Sequence, residues 1–193
     1  MHPALLLISA WALWGLSWFA AAVWTGRTEN RVPRASAEVW LYRTLVTVGL
    51  VLLYYRTALV LHMHRLWHVG YDGAYALAFA AIAGFLFTWW ARVHLGRVWS
   101  GAVTRKEGHY VVDTGPYGIV RHPIYTGILA ATLATALTLA TIPALLGLVF
   151  ITVGLWLKAK IEERFLAAEL GPDAYGDYRR RVPMLVPFGP KGA

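Results

Sequence analysis

The chain has 193 residues, of which 58% are hydrophobic and only 15% charged, where a water-soluble domain carries about a quarter. With a mean hydropathy of +0.51 and apolar residues gathered in long blocks, the composition excludes a soluble fold. The absence of cysteine excludes disulfides, thiolate metal sites and cysteine nucleophiles, while a net charge of +8 leaves nucleic acid or anionic lipid as partners until its distribution is read.

In chain order, the first element runs from Pro3 to Trp24, 22 residues without a charge, enough to cross a hydrocarbon core of about 30 Å. It has no basic n-region and is too long for a signal peptide, so it is expected to be a retained first span. A polar linker, Thr25 to Ala37, carries Arg27, Arg31, Pro33 and Arg34. The second span is expected over Val39 to Leu61, with Arg43 and Arg56 near its ends where they can snorkel to the interface. A loop with His62, His64, Arg65 and His68 precedes a third, uncharged span over Ala74 to Ala91.

The longest polar segment follows, Arg92 to Arg121. Between Arg121 and Lys158 lie 36 residues without a formal charge, too many for one helix and right for two short ones turning near Thr141 to Pro143. From Lys158 the chain reads as helix to Leu170, a break at Gly171-Pro172, and a short helix to Arg180. The expectation is an all-α integral membrane protein of about five transmembrane helices forming a single membrane domain. Residues 1–91 supply three spans, and residues 92–193 supply a loop, a helical hairpin and a C-terminal cap.

Charge orients these spans. If the N-terminus is outside, Arg27, Arg31, Arg34, Arg92, Arg97, Arg105, Lys106, Arg121, Lys158, Lys160, Arg164, Arg179, Arg180, Arg181 and Lys191 all face the cytoplasm. The outer side keeps Arg65, with Arg56 at the membrane edge. This positive-inside bias accounts for the charge through topology and membrane lipids, without nucleic acid. The rings of ten tryptophans and ten tyrosines suit the headgroup region.

Polar and aromatic groups collect on the predicted cytoplasmic side. Pro123 falls where the fourth span should begin, a first helical position where its missing amide hydrogen is no loss. The amides of Ile124 and Tyr125 then form a positive helix end that favours an anionic group such as a carboxylate. Lys158 and Glu162, four apart, share one helix face, while Glu163 points about 100° away. Acidic groups at this boundary are not needed for topology and are candidates for binding a cation. Tyr175 and Tyr178, interleaved with the basic run Arg179 to Arg181 and stopped by Val182-Pro183, read as a packed cap. Thr132, Thr135 and Thr138 recur at three-residue spacing, which suits close helix packing. His62, His64 and His68 have ligand-like spacing but sit on the predicted outer loop, and no metal is assigned to them.

The ordered set resembles the isoprenylcysteine carboxyl methyltransferase and phospholipid methyltransferase superfamily. It comprises Gly115-Pro116-Tyr117, then Arg121-His122-Pro123-x-Tyr125-x-Gly127, an uncharged hairpin, Glu162-Glu163-x-x-Leu166, and Tyr175-x-x-Tyr178-x-x-Arg181-Val182-Pro183. The likeness covers about Leu95 to Phe188. It implies S-adenosyl-L-methionine as cofactor, in a cytoplasmic pocket built from the loop before the fourth helix, that helix's start and the C-terminal helices. This agrees with the lack of any Gly-x-Gly-x-x-Gly after a strand. By resemblance, His109, Tyr110, Val111, Val112, Tyr117, His122, Pro123, Ile124, Tyr125 and Glu162 bind the cofactor. Lys158 takes the place of a basic residue that meets an anionic substrate group, and Arg181 is a second candidate for substrate or packing. Glu163 or Glu162 is the proton acceptor if the substrate is an amine.

The implied reaction is methyl transfer to a lipophilic small molecule or lipid, foremost the carboxyl of an isoprenylcysteine-like substrate. Phospholipid amine N-methylation and thiol S-methylation stand as alternatives, with a non-catalytic membrane protein or a nicotinamide-dependent reductase further off. The brevity of the chain points to a prokaryotic inner membrane.

Overall fold

A computed structural model describes residues 2–24, 28–31, 36–59, 64–99, 104–106, 111–170 and 172–192. The linker residues Arg27, Pro33 and Arg34, the break expected at Gly171, and His62, His109 and Tyr110 lie outside these. The elements are α1 (Pro3–Ala21), β1 (Thr28–Arg31), α2 (Ala37–Leu59), α3 (Tyr71–Leu95), β2 (Thr104–Lys106), α4 (Pro116–Ile119), α5 (Pro123–Leu139), α6 (Ile142–Leu170) and α7 (Pro172–Arg181). Among the described residues four helices, α1, α2, α3 and α6, are long and apolar enough to cross a membrane, and α5 is a shorter apolar helix of 17 residues. The fold is that of a multi-pass, all-helical membrane protein. Two short strands pair antiparallel, Thr28 opposite Lys106.

The uncharged hairpin forms as expected. Leu139 ends α5 with Ala140 in the left-handed region at φ 52°, and the Thr141 hydroxyl accepts from the Ala144 amide to start α6. Past Lys158 the structure departs from expectation only in continuity, because α6 runs unbroken to Leu170 as one 29-residue helix. The charged part is therefore a rigid extension of a span, which fixes where Glu162 and Glu163 stand.

Two glycine crossings set the helix spacing. A Cβ on Gly84 of α3 would lie 2.6 Å from the carbonyl oxygen of Gly127 in α5, and Gly49 of α2 meets Gly147 and Ile151 of α6 as closely. Small residues at such points let backbones touch. The hairpin α5–α6 is thus clasped by α3 on one side and α2 on the other. α1 docks through indole donors: Trp11 Nε1 donates to Thr135 Oγ1 at 2.9 Å, and Trp14 Nε1 to Thr88 Oγ1 at 2.7 Å. These tryptophans lie inside the bundle rather than in a headgroup belt, because a buried indole N–H needs an acceptor and the threonines supply one. The hydroxyls of Thr132, Thr135 and Thr138 return to carbonyls one turn back, so that stripe packs helices together.

Arg92, read above as the first residue of a polar loop, is instead in the last turn of α3 and fully buried. Its guanidinium donates to the carbonyls of Gly96, Ala21 and Trp24 and lies between the rings of Trp24 and Trp99, at 4.7 and 4.4 Å. A cation at the carbonyl end of α1 complements that helix's dipole. At the other end of the bundle, the Leu66 amide donates to Ala140 O at 2.7 Å, which pins the segment with His64 and His68 beside the α5–α6 turn.

Gly84→Val should force α3 and α5 apart and lower the melting temperature in detergent by about 3–10 °C. Gly15→Ala, whose Cβ would meet nothing within 4 Å, should leave it unchanged.

Candidate active site

The end of the bundle opposite the His64 segment is where the unusual residues converge. α4 is capped by Gly115, which adopts φ 57° and faces the His94 ring, where an added Cβ would come within 2.7 Å. Only glycine satisfies both demands. His94 Nε2 pairs with Thr114 Oγ1 at 2.9 Å, so the end of α3 holds the turn that places Tyr117.

Proline at the first position of α5 makes His122 its N-cap, yet the imidazole makes no capping bond. It faces α6 instead. His122 Nε2 lies 3.2 Å from Glu163 Oε1, and Nδ1 lies 3.6 Å from Glu162 Oε2. A neutral imidazole has one N–H, so facing two carboxylates calls for the imidazolium. Burial of His122 works against that charge, but hydrogen bonding and charge from Glu162 and Glu163 prevail and raise its pKa above the usual 6.5.

Glu163, also buried, accepts from Arg121 Nε at 2.7 Å and has Arg179 Nε at 3.6 Å. Glu162 accepts from the Tyr125 hydroxyl at 2.6 Å and has Lys158 Nζ at 3.9 Å. That ammonium also lies over Tyr125 and over Tyr42 of α2, 5.1 and 5.9 Å from the ring centres. Tyr125 stacks parallel on His122 with 5.3 Å between centroids. The result is an aromatic-lined, charge-rich patch where apolar helices meet the polar cap.

A C-terminal strap closes it. The amides of Arg121 and His122 donate to the carbonyls of Pro183 and Met184 at 2.8 and 3.1 Å, and Thr126 Oγ1 donates to Leu185 O at 2.6 Å. Arg121 also donates to the carbonyls of Arg179 and Val182, joining α7 to the site. The Tyr178 hydroxyl donates to Tyr117 O at 2.8 Å, and burial pushes the pKa of Tyr117, Tyr175 and Tyr178 up, so all three stay neutral donors.

Of the residues named from sequence, Tyr117, His122, Pro123, Ile124, Tyr125, Lys158, Glu162 and Glu163 come together here. Val111 packs on Tyr175, Tyr178 and Val182 behind the patch, and Val112 follows it, half-buried. Arg181 does not join the network: it is exposed and paired with Asp113 at 2.8 Å. Four features here are not among the site residues named from sequence: Arg121 (although it adjoins His122), Arg179, Tyr42 and the strap carbonyls. Arg121 carried a signal, being the only formal charge beside the motif proline. Tyr42 carried none, since it reaches the site from α2 across the bundle.

The fold and this patch define a multi-pass helical membrane protein with a polar site at one end of its spans. Residues 76–168 match the model of the isoprenylcysteine carboxyl methyltransferase (ICMT) family. Methanethiol S-methyltransferase 2 of Bradyrhizobium diazoefficiens is 49% identical over 73 residues, 37% of this chain and 26% of that protein. Protein-S-isoprenylcysteine O-methyltransferase of Schizosaccharomyces pombe is 31% identical over 121 residues, 60% of this chain and 49% of the relative. Cobalt-zinc-cadmium resistance protein CzcN of Cupriavidus metallidurans is 31% identical over 166 residues, 82% of this chain and 67% of the relative. The chain thus spans about a quarter and about half the length of the first two. It belongs to the isoprenylcysteine carboxyl methyltransferase family.

A histidine whose folded pKa is raised adds stability below its unfolded value and loses it as pH rises through the folded one. Thermal stability should therefore decline as pH climbs from about 6.5, and His122→Gln should flatten that decline. Melting curves in detergent from about pH 6 to 9 read both.

Proposed function

We propose that the protein is an S-adenosyl-L-methionine-dependent methyltransferase whose acceptor is a lipophilic molecule held at the membrane interface. The observation that carries this reading is the buried Glu162–His122–Glu163–Arg121 network, which lies within the segment matched by the family model. The residues fit the group chemically. Glu162 offers a carboxylate to a cation or hydroxyl, and Tyr117 and Tyr125 offer ring faces, worth about 0.5–2 kcal/mol to a cation. His122 leaves the first-turn amides of α5 uncapped for a carboxylate. Val112 and Pro123, with His109 and Tyr110, would complete the cofactor pocket, with Val111 backing it through its packing on Tyr175 and Tyr178. When bound, S-adenosylmethionine supplies a methyl group activated on a sulfonium sulfur.

This chain's own part is positioning and exclusion of water. Arg121 and Glu163 are buried, so the site's polar groups are oriented by one another and not by solvent. Lys158, standing between Tyr42 and Tyr125, would attract the acceptor's anionic head while its apolar part stays among the spans. A carboxylate or thiolate acceptor needs no general base. That suits a site whose carboxylates are already engaged, Glu163 by Arg121 and His122, and Glu162 by Tyr125 and His122. The same engagement disfavours an amine acceptor, which must first lose a proton.

We take the carboxyl of an isoprenylcysteine-like molecule as the foremost acceptor. S-methylation of a lipophilic thiol is the second reading, favoured by the 49% identity to the Bradyrhizobium thiol methyltransferase. The charge bias of the loops supports a site facing the cytoplasm, and we take the membrane to be a prokaryotic inner membrane.

Calorimetry on detergent-purified protein should show micromolar S-adenosylmethionine binding, weakened at least about tenfold by Glu162→Ala or His122→Ala, a loss of about 1.4 kcal/mol or more. Unchanged affinity in folded variants would contradict the assigned pocket. Methyl transfer to a prenylcysteine but not to an alkyl thiol would select the first acceptor, and the reverse pattern the second.

A further inference from the structure

We propose that the C-terminal hairpin, residues 182–192, is an interfacial membrane anchor whose apolar tip, Val186-Pro187-Phe188, enters the lipid beside α5. Its basic flanks engage anionic headgroups. The hairpin is a built turn: the Gly189 amide donates to Val186 O at 2.9 Å, Pro183 and Lys191 pair across the arms, and the Gly192 amide donates to Arg179 O at 3.0 Å. Its two sides differ sharply. Met184 and Leu185 pack against the core around Tyr125, Ile151 and Leu155, whereas Val186 is 65% exposed and Phe188 fully so.

Phe188 also has φ 61°, in the left-handed region that a bulky side chain rarely occupies. The chain therefore accepts backbone strain at the most exposed of the large hydrophobic residues described. Water gives no return for either feature. Lipid gives a return for both, because an aromatic ring transferred from water to the acyl boundary gains the hydrophobic free energy of its whole surface.

Direction supports the same partner. Successive strap residues pair with successive positions leading into α5: Pro183 with Arg121, Met184 with His122 at the N-cap, Leu185 with Thr126 in the first turn. The descending arm thus runs along α5 in the direction in which that helix enters the apolar bundle, and the exposed tip comes next. Charge is complementary to an anionic leaflet. Residues 182–192 contain no acidic side chain, the returning arm carries exposed Lys191, and α7 delivers Arg179, Arg180 and Arg181 at the hairpin's base. Arg180 and Arg181 are paired with Asp177 and Asp113 only at the surface, where such pairs are weak enough for phosphate headgroups to compete. Because the same arm holds the amides of Arg121 and His122, lipid contact at the tip would brace the charged patch from outside.

The lack of native cysteine lets a single nitroxide report each position in the intact chain. Phe188→Cys, Leu133→Cys on the lipid face of α5 and Asp177→Cys on α7 would be labelled and placed in phosphatidylcholine nanodiscs. Their relaxation by oxygen and by a water-soluble nickel chelate would then be compared. At position 188 oxygen should dominate, as at 133, and the chelate should dominate at 177. Adding phosphatidylglycerol should shift 188 further toward oxygen, a shift that Lys191→Gln reduces. Chelate dominance at 188 would place the tip in water and overturn the proposal. Shielding from both agents would place it against protein and overturn it too, and indifference to phosphatidylglycerol would remove the headgroup contact. None of these readings depends on cofactor binding or methyl transfer.

Discussion

Two adjacent carboxylates on a membrane helix, at the edge of an apolar bundle, are the constraint around which this protein is organised. A carboxylate withdrawn from water costs several kcal/mol unless cations and donors surround it. Here Glu163 is met by Arg121, His122 and Arg179, and Glu162 by His122, Tyr125 and Lys158. These partners come from the start of α5, from α6 itself and from α7. Satisfying the pair therefore decides how those elements are arranged.

The need propagates outward. Arg121 reaches Glu163 only if its backbone is held, and the strap carbonyls of Pro183 and Met184 hold it and His122. His122 can turn to α6 because a proline follows it and because it does not cap its own helix. α5 stands at the right distance because Gly84 and Gly127 let it touch α3. Farther away, buried Arg92 ties the end of α1 to the end of α3, and so to the turn that carries Tyr117. A local electrostatic demand is met by packing across the bundle.

Much of this was legible in the sequence, for identifiable reasons. Long uncharged runs mark spans because lipid tolerates little else, and Pro123 marks the start of α5 because proline can lead a helix and not interrupt one. The paired Glu162 and Glu163 stood out because their position served no topological purpose. What stayed hidden depended on tertiary partners. Arg92 looked like a loop charge because the Ala21 and Trp24 carbonyls and the Trp24 ring that help hold it come from the far end of α1 and the residues just past it. Trp11 and Trp14 looked like interfacial residues because the acceptor threonines that draw them inward lie on α3 and α5. Tyr42 joins the site from a helix with no motif, and the strap's role rests on backbone carbonyls, which no side-chain pattern announces.

On the proposed reading, the buried ion network holds the cofactor as well as fastening α5, α6 and α7. A double-mutant cycle on Arg121 and Glu163, using Arg121→Met and Glu163→Gln and reading the rise in melting temperature caused by S-adenosylmethionine, tests it most directly. A clear ligand-induced rise is expected for the wild type, with its near loss in each single variant and little further loss in the double variant, because the two residues act as a unit. Retention of the full ligand-induced rise in folded single variants would contradict it.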